Sequence, residues 1–145
     1  MQTSPSGLAL IKRFEGFSAL PYRCPAGKMT IGYGHVIRPT DVFEQGCVTE
    51  ETAETLLKQD IAYVERIITR AVLTPINPNQ FDALVSLAYN IGIEAFVNST
   101  LLRLLNEGNP EAAAAQFARW TYAGGRKLDG LVQRRAAEAA LFREV

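Results

Sequence analysis

The sequence predicts an α+β fold in which helices dominate, with a small β-containing lobe and a helical lobe joined by one long helix. Three observations carry this. An apolar stripe of helical period runs from about residue 49 to about residue 72. Residues 17–38 are instead cut into short runs by Pro21, Pro25, Gly27, Gly32 and Gly34, with Pro39 just beyond, the pattern of short strands and turns. After residue 76 the chain is a series of short helical segments separated by Gly, Pro and capping residues. With 145 residues, 48% of them hydrophobic and 21% charged, the chain is long and apolar enough for one domain with its own core. The predicted division is a β-containing lobe at about 14–58 and a helical lobe at about 59–145, with the N-terminal helix added to the second.

Each element has a local reason. Ser4 and Pro5 supply a cap and a first helical residue, and Leu8, Ile11 and Phe14 follow at helical spacing up to a stop at Gly16. The runs LPYRC and KMTIGYGHVI form hairpin material, with Ala26-Gly27 near the turn. Thr49 caps the long helix, Glu50 and Glu51 fill its first turn, and Ala53, Leu56, Leu57, Ile61, Val64, Ile67 and Ile68 make its apolar face. Asn77-Pro78 opens a helix bearing Phe81, Leu84, Val85 and Ala88, which Gly92 stops. Ser99 or Thr100 caps a short helix ending near Asn106. Asn109-Pro110 opens another through Trp120, Gly124-Gly125 marks a loop, and a last helix spans about Gly130 to Phe142.

Composition excludes several classes. Fifteen basic and fifteen acidic residues give zero formal charge, unlike a general nucleic-acid or anionic-membrane binder. Two cysteines, Cys24 and Cys47, are too few for a disulfide framework. The single histidine, His35, and the absence of C-x-x-C or H-x-x-x-H spacing leave no basis for a metal site. The first residues hold only the short apolar run LALI, followed by Lys12 and Arg13, so no secretory signal is expected. No run approaches a membrane span.

Glu15 is unusual. It falls in the last turn of the first helix, where the dipole disfavours an anion. By itself it reads as a solvated residue at a frayed end. Its neighbourhood changes that reading. Glu15, Cys24 and Thr30 satisfy the spacing E-x8-(D or C)-x5-T, followed by TIGYGH at residues 30–35. The segments QFDALVSLAYNIG, FVNSTLLRLLN, ARW and GLVQRRAAEAALF come later in order. Together they resemble the phage-type, T4 lysozyme-like lysozymes and endolysins of glycoside hydrolase family 24 over nearly the whole chain.

The resemblance implies a lysozyme-like fold and hydrolysis of the β-1,4 bond between N-acetylmuramic acid and N-acetylglucosamine in peptidoglycan. It implies an inverting course, no cofactor and no nucleic-acid partner. A monomer is expected that accumulates in the host cytoplasm and reaches the wall through a holin pore. Glu15 would be the general acid, with a proton held by burial, by apolar neighbours Phe14 and Phe17, and by the helix end. Cys24 stands where Asp is usual in the family. It would act as a thiolate base, hold water as a thiol, or be an inert replacement; Arg23 and Lys28 are the cations near it in sequence. Thr30 would hold water or orient Cys24. His35 is expected to be structural, paired with Asp60, and Gly32 and Gly34 to let the backbone bend or approach the sugar. Tyr89, Asn90, Phe96, Asn98 and Arg134 are the substrate contacts the resemblance points to, with Arg134 meeting substrate carboxylates. Aromatic residues such as Phe96 and Trp120 are more often core than binding residues. A lytic transglycosylase, which needs only the acid, and a non-catalytic wall-binding module are the alternatives. A Cys24–Cys47 disulfide would block the thiol.

The zero net charge is itself a sum of unlike regions. Residues 12–38 carry five basic side chains against Glu15, and residues 119–135 carry five against Asp129. Residues 49–68 carry five acidic against two basic. The two basic stretches contain the catalytic motif and Arg134.

Overall fold

The computed structural model describes residues 1–145. Helix α1 spans Pro5–Glu15. A three-stranded antiparallel sheet follows in the order β1-β2-β3, from Ser18–Arg23, Met29–Gly32 and His35–Val36. Helix α2, Glu50–Ala71, crosses to the helical lobe. That lobe holds α3 (Pro78–Ile91), α4 (Ile93–Val97), α5 (Thr100–Asn106), α6 (Pro110–Ala115) and α7 (Asp129–Arg143). The expected α+β architecture is therefore present.

The caps fall where the local chemistry puts them. Ser4, Thr49, Asn77 and Ser99 each accept a backbone N–H of the first turn through the side chain, satisfying donors that a helix start leaves unpaired. At Asn77 the arrangement is reciprocal, since Gln80 accepts the Asn77 N–H. The α2 stripe behaves as expected: Ala53, Leu57, Ile61, Val64 and Ile68 are buried, with Leu56 and Ile67 at its margin.

Helix α3 is the central element, buried at every position from Phe81 to Ala88. Leu84, Val85 and Leu87 are fully buried among α1, α2 and α7. A smaller apolar cluster of Ile31, Val48 and Ala53 binds the sheet to the start of α2. Gly32 belongs to this contact: a Cβ there would lie 3.0 Å from the Ala53 Cβ. Its smallness lets sheet and helix touch, so its close approach is to α2 and not to a sugar.

Helix α1 is sewn to the helical lobe at its first turn. Asp82, 1% exposed, accepts from the Ser4 N–H at 3.0 Å and the Ser4 hydroxyl at 2.5 Å. The Gly7 Cα faces this carboxylate so closely that a Cβ would fall 2.6 Å from Asp82 Cγ. The depth of α1, and with it the place of Glu15, is set by this junction.

Three local features differ from the sequence expectation. A short helix, α4, follows Gly92 directly, because Gly92 (φ +97°) stops one helix and opens the next. The helix opened by Pro110 ends at Ala115 and tightens into a 3-10 turn over Gln116–Arg119, so it does not continue through Trp120. Gly124 and Gly125, both at positive φ, turn a two-stranded hairpin of β4 (Tyr122–Ala123) and β5 (Arg126–Lys127) where a plain loop was expected.

Candidate active site

A cleft of about 800 Å³ brings together Glu15, Cys24, Thr30, Tyr89, Asn90 and Arg134, drawn from α1, the β1–β2 hairpin, α3 and α7. Glu15 is the last residue of α1. Gly16, at φ +69°, turns the chain away and its N–H closes the helix on the Lys12 carbonyl at 2.8 Å. The Glu15 side chain is 14% exposed, and its Oε2 accepts from Arg134 Nη1 at 2.7 Å. Gly34 (φ +81°) passes directly over the carboxyl, and a Cβ there would lie 2.7 Å from Glu15 Cδ. This revises the expected setting. A guanidinium holds one carboxyl oxygen and a glycine makes room for the other, while Phe17 is an exposed ring beside Tyr33 and not part of the cleft lining.

Cys24 sits at the start of the β1–β2 turn, its N–H on the Lys28 carbonyl at 2.9 Å and its carbonyl accepting from Gly27 N–H at 2.8 Å. Burial pushes the thiol up, but the backbone N–H groups of Lys28, Ala26 and Gly27 and the Thr30 hydroxyl outweigh it, so the thiol lies below its ordinary value. The expected cause, the side-chain charges of Arg23 and Lys28, is replaced by hydrogen-bond donors of the turn. Arg23 is occupied elsewhere, with Nη1 on the Gly27 carbonyl at 2.8 Å. Thr30 is 2% exposed, and its Oγ1 lies 3.0 Å from the Lys28 carbonyl. The same rotating hydroxyl serves the sulfur. Both cysteines are free thiols.

Tyr89 lines the cleft and its hydroxyl donates to the Tyr33 carbonyl at 2.8 Å, which fixes the β2–β3 turn carrying Gly34. Burial, then the nearby Glu15, push the Tyr89 phenol well up from its ordinary value, so the hydroxyl stays a donor. Asn90 is exposed at the cleft wall with its side chain available.

Three of the expected substrate contacts need correction. Phe96 is 0% exposed and packs in the main core, so its ring cannot meet a sugar. Asn98 lies in a separate depression beside Ser99 and Arg103, where its amide donates to the Glu94 carbonyl at 3.0 Å. Arg134 does border the cleft, yet it is 3% exposed and four of its five N–H groups are taken by Glu15, Glu138 and Ser86. It holds the protein's own carboxylate, and the single N–H left on Nη1 gives a substrate carboxylate no two-pronged grip. Lys28 is the lining cation without an ion-pair partner.

His35 is buried and pairs with Asp60, the partner expected for it, and it has a second partner as well. Nδ1 lies 2.6 Å from Asp60 and Nε2 2.8 Å from Asp41. The hydrogen bond to Asp60 raises the imidazole from its ordinary value, burial opposes it, and Asp41 adds to the rise. For Asp41, burial pushes up, but the Arg38 N–H, His35 and the Arg38 guanidinium bring it down to about 2. Asp41 was missed because it comes from an irregular loop. The sequence signal was an acid six residues beyond the only histidine, just past Pro39.

Glu138 and Ser86 were also missed. Glu138, 0% exposed, contacts both Arg134 and Arg135. The available signal was the RR-x-x-E spacing, which puts one acid a helical turn beyond two adjacent bases.

Comparison with known proteins agrees with this geometry. The family model described as phage lysozyme matches residues 12–138. An endolysin of Acyrthosiphon pisum secondary endosymbiont phage 1 is 44% identical over 148 residues, covering 98% of both chains. An endolysin of Bacillus phage PZA is 46% identical over 144 residues, and the chain spans 55% of its length. Among solved structures, the muramidase domain of SpmX from Asticaccaulis excentricus superposes with a TM-score of 0.88 at 40% identity, over 99% of each chain. With the match running from the helix that carries Glu15 to the one that carries Arg134, the chain belongs to the phage lysozyme family.

Proposed function

We propose that this chain is an endolysin muramidase, cleaving the β-1,4 bond between N-acetylmuramic acid and N-acetylglucosamine of peptidoglycan. The observation that carries this is the pairing, in one cleft, of a guanidinium-held carboxyl at a helix end with a thiol and a hydroxyl on the opposing hairpin. Residues 1–145 act as one catalytic domain, whose β-containing and helical lobes form the two walls.

In this reading Glu15 protonates the leaving O4 of the glucosamine as the C–O bond breaks. Water attacks the anomeric carbon from the opposite face, so the course is inverting. Cys24 and Thr30 place that water, and the thiolate fraction of Cys24 takes its proton. Tyr89 and Asn90 border the sugar, with Tyr89 holding the Gly34 turn over the acid. The polar donors around Cys24 favour the thiolate and so favour a base over an inert replacement. A monomeric state and release from the host cytoplasm through a holin complete the reading. No helix is long and apolar enough to cross a membrane.

The test is product analysis on purified peptidoglycan. Mass spectrometry should find reducing N-acetylmuramic acid ends, and Glu15→Gln should lose at least about 10³-fold in rate from removal of the acid. Mainly 1,6-anhydro ends would reassign the chain as a lytic transglycosylase. Undiminished wall lysis by Glu15→Gln would make it a binding module.

A further inference from the structure

We propose that Glu138 is a positioning residue for the acid: with Ser86 it fixes the Arg134 guanidinium so that one nitrogen, Nη1, grips Glu15. This deepens the muramidase reading and rests on it.

Each of the three guanidinium nitrogens has a partner. Nε donates to Glu138 Oε2 at 3.2 Å, and Nη2 donates to the Ser86 carbonyl at 3.1 Å and hydroxyl at 3.3 Å. Nη1 is thereby left for Glu15 at 2.7 Å. A guanidinium is a planar fork, so fixing two nitrogens fixes the direction of the third. Glu138 is itself locked. The Ser86 hydroxyl donates to its Oε2 at 2.5 Å and Arg135 Nη2 donates to the same oxygen at 3.2 Å. Arg135 Nε lies 2.7 Å from Oε1, an ion-pair contact not aligned as a hydrogen bond.

The charges explain why a second carboxylate is needed. Arg134, Arg135 and Glu138 are all buried, at 3%, 1% and 0% exposure. With Glu15 ionised the four groups balance. When Glu15 takes up the proton it must deliver, Glu138 becomes the anion that remains against two guanidinium groups. Without it Arg134 would have Glu15 as its sole carboxylate partner, and two buried guanidinium groups would face a protonated acid with no counter-ion. The other acids near it are committed elsewhere, Asp60 of α2 to His35, and Lys28 across the cleft is a cation. Helix α3 presents Ser86 and Tyr89 to this cluster, and its Asp82 is committed to Ser4. Strand β1 presents Tyr22, with Cys24 just beyond it. The 3-10 turn before the hairpin offers the Trp120 carbonyl, 3.4 Å from Arg135 Nη1, and its Arg119 bonds Gln116 on the surface. On the α6 side Glu111 pairs with Arg143.

The experiment measures kcat, KM and the pH profile on purified peptidoglycan for Glu138→Gln, Glu138→Asp and Ser86→Ala, with thermal melts on each. Wild-type turnover with reducing-end products is required first; its absence would overturn the muramidase reading itself. Glu138→Gln should lower kcat at least about 10-fold with KM changed less than twofold, and move the alkaline limb of the profile down by about one pH unit. Glu138→Asp, which keeps the charge, should keep the limb near its wild-type position. Ser86→Ala should lower kcat several-fold. If Glu138→Gln does not fold, Ser86→Ala decides: wild-type kcat and pH profile in that variant overturn the proposal. A folded Glu138→Gln with an unmoved alkaline limb and unchanged kcat overturns it equally, leaving Glu138 a purely structural ion.

Discussion

Replacing His35 by Gln should destabilise the protein in a pH-dependent way whose shape follows from its two carboxylate partners. In the folded chain the imidazole lies 2.6 Å from Asp60 and 2.8 Å from Asp41. Its folded-state value is raised, so its contribution is fully present below the unfolded histidine's value near 6.5 and is lost as pH rises through the folded value. Asp41 has the opposite sign. Held down at about 2 against an ordinary 3.8, it contributes above the ordinary value and loses that contribution as pH falls toward 2. At about 1.4 kcal/mol per pH unit, Asp41 accounts for roughly 2 kcal/mol, of which His35 supplies a part beside Arg38. The charged hydrogen bond to Asp60 adds roughly 1.5–3 kcal/mol. His35→Gln should therefore cost about 3 kcal/mol between about pH 4 and 6.5. For a chain of this size that is a Tm drop of about 10 °C. The gap from wild type should narrow above pH 7 and again below pH 4. Thermal melts followed by circular dichroism from pH 3 to 9 measure it. A gap that stays constant from pH 5 to 9 would refute the ion-pair account and leave only a packing defect.

Three further outcomes follow from the same geometry. Thr30→Val should slow alkylation of Cys24 by iodoacetamide severalfold at pH 7, by removing a hydroxyl that favours the thiolate; mass spectrometry at timed intervals reads this, and an unchanged rate would contradict the assigned contact. Gly34→Ala should lose most activity and about 1–3 kcal/mol of stability, because the backbone sits at φ +81° and the new methyl would lie 2.7 Å from Glu15 Cδ. Near-wild-type turnover would show that the turn can move without displacing the acid. Asp82→Ala should cost roughly 2–4 kcal/mol in urea unfolding, since it strands the Ser4 N–H and opens a hole beside Gly7.

The helices were legible because their boundaries are local chemistry. Ser4-Pro5, Thr49 and Asn77-Pro78 each carry their own cap, and the stripe from Ala53 to Ile68 needs only the helical period. That Glu15, Cys24 and Thr30 share one cleft was legible as spacing within one continuous segment. What stayed hidden depends on contacts between distant residues. Arg134 looked like a free cation at the cleft because nothing in GLVQRRAAEAALF shows that Glu15, 119 positions earlier, arrives at its Nη1. Phe96 and Asn98 were expected at the cleft on the resemblance alone; the short helix after Gly92, which has no cap of its own to announce it, buries Phe96 in the core. The pairing of His35 with Asp60 was foreseeable from chemistry, whereas Asp41 reaches the ring through an irregular loop with no periodic signal.

The Glu15–Arg134 contact also bears on when, during synthesis, the cleft is assembled. Glu15 precedes Arg134 by 119 positions, so the carboxyl leaves the ribosome well before the guanidinium of α7 that holds it. A nascent or prematurely terminated chain that stops before residue 134 carries the whole Glu15–Cys24–Thr30 motif and has nothing to hold the carboxyl in place. The ordering of the Glu15 carboxyl is thus tied to the completion of α7.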